Sequence, residues 1–214
     1  MIEKKPIIFL HGWGLDKNCF NQLASQLADY EQVLFDLPGF GQTELPKRPW
    51  ATLDYANYIK NAFLDKKSIL IGYSFGGKIA IKIAADYPEL VDKLILIASS
   101  GLRKKLSLKR LIRKILKKSS QDYKNAGALK PILSKIVAQD LTQDLKKIKC
   151  ETLILSAEND TETPFWTARK MHKLIKSNKL VVLPGLGHHD ILTLGIHQTS
   201  HQIKNFLKNA QNKI

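Results

Sequence analysis

The chain has 214 residues, which sets an expectation of one domain with room for an insertion, since domains usually run to roughly 100–200 residues. Its composition of 44% hydrophobic and 25% charged residues, with 12 glycines and 8 prolines, is that of an ordinary globular protein and excludes a disordered or fibrous chain. Thirty-four Lys+Arg against 19 Asp+Glu leave a net charge of +15, so an acidic partner stands as one reading of the surface beside simple solvation of a lysine-rich one.

The first ten residues hold two lysines and an apolar run over 7–10 that is too short for a signal-peptide core. No run of about 18 apolar residues occurs anywhere, so nothing is predicted to span a membrane. Cys19 and Cys150 lie far apart, without a CxxC or a histidine spacing around them, which predicts reduced thiols in a cytoplasmic protein and neither a disulfide framework nor a metal site.

Short apolar runs rich in β-branched residues recur at 7–10, 32–35, 68–71, 93–98, 152–155 and 180–183, and they read as strands buried on both faces. Helical patterns alternate with them. Over 78–86, Ile79, Ile83 and Ala84 share a face; a second pattern covers 163–174, with Pro164 in its first turn; a third, amphipathic, covers 198–207. Strand alternating with helix implies a mostly parallel sheet covered on both sides, an α/β architecture.

Residues 101–149 break the alternation. They hold no strand-like run and read as two or three helices inserted between strands, so the expected organisation is a core of 1–100 and 150–214 with a short helical lid at 101–149. Within the lid, Leu108, Leu111, Ile112, Ile115 and Leu116 form one apolar stripe, and the opposite face is basic. The stretch 103–118 carries nine Lys and Arg and no acid, which makes Arg103, Lys109, Arg110, Arg113 and Lys114 candidate partner-binding residues.

Gly72-Tyr73-Ser74-Phe75-Gly76-Gly77 is a G-x-S-x-G that follows one predicted strand and opens a predicted helix. A serine on so sharp a turn needs glycines two positions to either side, and the turn lifts the hydroxyl above the sheet, which makes Ser74 the candidate nucleophile. After the first strand comes His11-Gly12-Trp13-Gly14, a turn able to present an N–H, and the backbone N–H groups of Trp13 and Phe75 are the natural pair for an oxyanion hole. His11 itself reads as a turn residue. In the order that this turn implies, an acid and then a histidine follow the serine on later strand ends. Asp160 is the preferred acid, with Glu158 and Glu162 as competitors on the same loop; His188 is the preferred base over His189. His172, His197 and His201 fall on predicted helices and read as surface residues. Trp13, Tyr73 and Phe40 are candidate substrate-binding residues, and Trp166 reads as packing.

These motifs, together with Asp36-Leu37-Pro38-Gly39-Phe40-Gly41, resemble those of the α/β-hydrolases, and the N-terminal half is similar to the pimeloyl-acyl-carrier-protein methyl ester esterases. In the loop at 36–41, Gly39 and Gly41 permit a tight turn and Asp36 bonds backbone nearby. Only six residues precede Ile7, so the resemblance implies a sheet of about six strands, lacking the N-terminal strand pair usual in that superfamily. It further implies a serine carboxylesterase or thioesterase that needs no metal or organic cofactor. Its substrate would be a small-molecule or carrier-protein-linked acyl ester, with an acidic acyl carrier protein as the candidate partner. Two other readings remain open: hydrolysis of another bond (a peptidase, a haloperoxidase-like enzyme or a carbon–carbon hydrolase), or a basic module that binds nucleic acid or a membrane surface without catalysis.

Overall fold

A computed structural model describes residues 5–103 and 127–209. Six strands, β1 (Ile7–Leu10), β2 (Gln32–Leu34), β3 (Ser68–Tyr73), β4 (Val91–Ile97), β5 (Glu151–Ala157) and β6 (Asn178–Leu183), form one sheet in the order β2-β1-β3-β4-β5-β6, with every pairing parallel. The strand order reverses at β1, where β2 lies on one side and β3 on the other. Each predicted strand is present. β3 and β5 run past the predicted ends, to Tyr73 and Ala157, because their neighbours continue the ladder: Tyr73 pairs with Ile97, and Ala157 with Leu183.

The period of two in a strand divides the core. Ile8, Leu10, Leu70, Leu94, Leu96 and Ile154 face one layer; Phe9, Ile71, Ile95, Ile97, Leu153 and Leu155 face the other. The first layer is built from α2 (Thr52–Phe63), α3 (Phe75–Asp86), α4 (Lys130–Ala138), α5 (Thr142–Lys147) and α6 (Phe165–Leu174). The second is thinner, with α1 (Asn21–Gln26) and α7 (Ile196–Asn209) supplying Leu23, Ile196, Ile203 and Leu207. One expectation is corrected here. β1, β3 and β5 are buried on both faces almost throughout, but β2 and β6 are only half-buried, because each is an edge strand with helices covering less of it.

Between β4 and β5, α4 and α5 lie on the helix-rich layer. Ile132 and Ile136 of α4 and Leu145 of α5 join the same core cluster as Ile79 and Ile83 of α3. Polar bonds fix them as well: Lys78 of α3 donates its ammonium to the carbonyls of Ile136 and Gln139, and the backbone N–H of Leu141 donates to Gly101 O at 2.8 Å. The basic helix expected around 108–116 lies outside the described residues. Arg103 is described: its N–H donates to Asp140 and its guanidinium to the Ala138 carbonyl, at 2.9 and 2.8 Å. No helix among the described residues is long and apolar enough to cross a membrane.

Candidate active site

Ser74 joins β3 directly to α3, and its backbone sits at φ 50°, ψ −110°. A side-chain-bearing residue there is strained at a cost on the order of 1–3 kcal/mol, which only over-determined surroundings will hold. The surroundings are on hand. The Ser74 N–H donates to Ile97 O at 3.0 Å, and its carbonyl accepts from both the N–H and the hydroxyl of Ser100, at 3.0 and 3.1 Å. The glycines that flank it are steric necessities: a Cβ on Gly76 would overlap the Leu10 carbonyl, and one on Gly72 would press on the backbone of Gly77. α3 therefore packs against the sheet at backbone distance, and the serine oxygen is left at its N-terminal end.

The other two expected residues arrive from the ends of β5 and β6. His188 Nε2 lies 3.1 Å from Ser74 Oγ, and His188 Nδ1 lies 2.7 Å from Asp160 Oδ2. Both His188 and Asp160 are buried. Burial alone pushes the Asp160 carboxyl up, but hydrogen bonds from His188 and Thr163 outweigh it and hold the group below the ordinary carboxylate range. The backbone N–H groups of Glu162 and Thr163 donate to Oδ1 at 2.8 and 2.7 Å, and the Thr163 hydroxyl lies 2.7 Å from Oδ2. An ionised Asp160 so held fixes the Nδ1–H tautomer of His188, leaving Nε2 free to accept the serine proton.

The competing residues are placed elsewhere. Glu158 accepts from the Gly185 N–H at 2.8 Å and so closes the acid loop onto the histidine loop. Glu162 lies on the other side of the imidazole from Asp160, 3.5 Å from His188 Nε2. His189 is exposed, with Nε2 at 3.2 Å from Glu162 and Nδ1 at 3.1 Å from the Tyr73 hydroxyl. His11 is fully buried: its Nδ1 donates to Gly12 O, and its Nε2 accepts from the Leu37 N–H, both at 2.9 Å. With both ring nitrogens committed to the turn, it has no lone pair to offer a substrate. His172, His197 and His201 are on exposed helix faces. Asp36 accepts from the N–H groups of Lys17 and Gln42, at 2.9 and 3.1 Å, and ties the loop after β2 to the turn after β1.

A cavity of about 70 Å³ opens over Ser74, lined by Gly12, Trp13, Leu15, Tyr73, Ser74, Glu162, His188 and His189. Trp13 and Tyr73 thus border it, whereas Phe40 stands behind them, buried and edge-on to Trp13 with ring centroids 5.0 Å apart. Trp13 also packs edge-on to Phe75, at 5.6 Å. The Phe75 N–H, at the first position of α3, has no partner within the helix. Tyr73 donates its hydroxyl to the His188 carbonyl at 3.1 Å, and its ring leans on the imidazole, centroids 5.2 Å apart. Burial, with the Glu162 and Asp160 carboxylates nearby, keeps that phenol protonated. Sequence reasoning missed Thr163 and Asp190; the latter accepts from the Gly187 N–H at 2.8 Å and sets the turn that delivers His188. A Thr three residues after the acid and just before Pro164 was the available signal for the first.

The family model described as alpha/beta hydrolase fold matches residues 5–126, and a second, described as TAP-like protein, matches 135–213. The chain belongs to the α/β-hydrolase family, and it is a hydrolase. It is 30% identical to the AB hydrolase superfamily protein YisY of Bacillus subtilis, over 86% of this chain and 85% of that protein. It is 29% identical to a pimeloyl-[acyl-carrier protein] methyl ester esterase of Legionella pneumophila, over 87% and 91%. Among solved structures, a lipase-esterase related protein from Clostridium acetobutylicum shares the fold, with a TM-score of 0.78 at 23% identity over 94% of this chain and 93% of that one.

Proposed function

We propose that the protein is a serine carboxylic ester hydrolase that works through an acyl-enzyme on Ser74, with His188 as its base and Asp160 as the acid that orients it. The observation that carries this reading is the relay of 3.1 Å from Ser74 Oγ to His188 Nε2 and 2.7 Å from Nδ1 to Asp160. Ser74 Oγ attacks the ester carbonyl carbon as Nε2 takes its proton, and the oxyanion is met by the N–H groups of Trp13 and Phe75. Collapse breaks the carbon–oxygen bond; Nε2 returns the proton to the departing alcohol, and the acyl group stays on Ser74. Water, deprotonated at the same Nε2, then attacks the acyl carbon and releases the acid with Ser74 restored.

In the same reading, residues 1–100 and 150–214 form the catalytic core, and 101–149 the inserted lid. The substrate is an acyl chain borne on an acidic acyl carrier protein and closed by a small alkyl ester. Relatives named as pimeloyl-[acyl-carrier protein] methyl ester esterases support this choice, as does the run of nine basic residues at 103–118. The small cavity over Ser74 suits a methyl ester. Arg103, Lys109, Arg110, Arg113 and Lys114 would meet the carrier, and opposite charge would speed the encounter at low salt.

The test is the hydrolysis rate of methyl pimelate on acyl carrier protein, beside the same ester on a small thiol, at low and raised salt. Wild type is expected to prefer the carrier-borne ester, and raised salt to erase the preference. Ser74→Ala should lose at least about 10⁴-fold in kcat on both. Wild-type rates in Ser74→Ala would overturn the serine mechanism; equal, salt-independent rates on the two esters would overturn the carrier.

A further inference from the structure

We propose that Glu162 sets the charge preference of this site for the alcohol half of its ester, favouring neutral or cationic alcohols and rejecting anionic ones. The inference rests on the Ser74–His188 reading and goes beyond it. The atom that returns the proton to the leaving alcohol is His188 Nε2, so the leaving oxygen must come within hydrogen-bond reach of that nitrogen. Glu162 Oε2 stands 3.5 Å from the same nitrogen. Whatever the alcohol carries on its first carbons therefore passes this carboxylate.

The carboxylate is braced. Its other oxygen lies 3.2 Å from His189 Nε2, and His189 Nδ1 lies 3.1 Å from the Tyr73 hydroxyl, itself bonded to the His188 carbonyl. Thus Glu162, His189 and Tyr73 form a second chain of polar contacts that crosses the mouth of the cavity and ends on the backbone of the residue that carries the base. No Lys or Arg lines this cavity among the described residues, and Asp160, the other carboxylate nearby, is buried behind His188 and engaged by Thr163. Apart from the imidazoles of His188 and His189, the ionisable group that faces the alcohol side is therefore the Glu162 carboxylate. Because the Glu162 side chain is 49% exposed, solvent screens part of its field, and an effect of about tenfold per substrate charge is the expected scale.

Three butyrate esters that differ in the charge of the alcohol test this: choline (cationic), 3,3-dimethylbutanol (neutral) and 2-hydroxyethanesulfonate (anionic), with kcat/KM measured for wild type, Glu162→Gln and Ser74→Ala. Wild type is expected to rank them cationic, neutral, anionic, with about 100-fold between the extremes. In Glu162→Gln that ratio should fall at least tenfold, and in wild type it should shrink at raised salt. An unchanged ratio in Glu162→Gln would overturn the proposal, and so would an equal loss on all three esters, which would place Glu162 in the proton relay. Hydrolysis by Ser74→Ala at wild-type rates would sink the serine mechanism instead, and the two failures are read from different variants.

Discussion

His11 shows how one residue type divides its work between chemistry and structure. It opens the HGWG turn, yet burial holds its imidazole neutral, below the ordinary value of 6.5, despite the opposing pull of the Gly12 carbonyl and of Asp36. Protonation would set a second N–H against the Leu37 N–H. The unfolded chain binds this proton more readily than the native one, so the stability contributed by His11 is full above pH 6.5 and is lost as pH falls below that value towards the folded one. Unfolding free energy from urea titrations should be flat near pH 7 and decline below it by up to about 1.4 kcal/mol per pH unit, and His11→Asn should flatten the decline. The sharp turn at Ser74 was legible in the sequence because a strained backbone demands particular neighbours, and those neighbours are glycines in the text. Which carboxylate would meet His188 was less so: Glu158, Asp160 and Glu162 alternate on one loop. Their separation depends on how the backbone curls over Thr163, which spacing alone does not record.

At the scale of the element, α4 is held to α3 by a buried cation. Lys78 is almost wholly enclosed, and its ammonium caps carbonyls at the C-terminal end of α4, where the helix dipole favours positive charge. Burial brings it down to about 8. Lys78→Met keeps most of the apolar stem and removes the donor, leaving the Ile136 and Gln139 carbonyls without it. We expect a loss of about 1–3 kcal/mol in chemical denaturation, with hydrogen exchange rising first along α4. None of this was visible in the motif, where Lys78 is simply the first polar residue after a glycine pair. α2 was not singled out: its buried face, Thr52, Tyr55, Ala56 and Ile59, holds only two large apolar side chains, and Leu53 and Tyr58 lie exposed off that face. The strands were legible in position because parallel strands inside a sheet are apolar without alternation. Their ends were not, since pairing partners decide where a ladder stops.

At the scale of the molecule, the +15 charge is the dominant long-range term. Self-repulsion opposes compaction, and it is screened as the Debye length falls from about 30 Å at 0.01 M salt to about 8 Å at 0.15 M. The melting temperature should therefore rise by a few degrees over that interval, as scanning calorimetry would show, and a fall would mean that specific ion pairs such as Lys82 with Asp86 and Asp144 outweigh the net field. The sheet that carries this charge also assembles the site from ends that are remote in sequence: Ser74 and His188 are 114 residues apart, and Asp160, 28 residues before His188, follows β5, two strands from β3 and next to β6. Only a chain with β3, β5 and β6 all in register brings the three side chains into contact. On the serine mechanism proposed above, covalent labelling of Ser74 by a fluorophosphonate would accordingly count completed molecules one by one, so that the reagent serves as a clock for refolding, silent towards every partly assembled form.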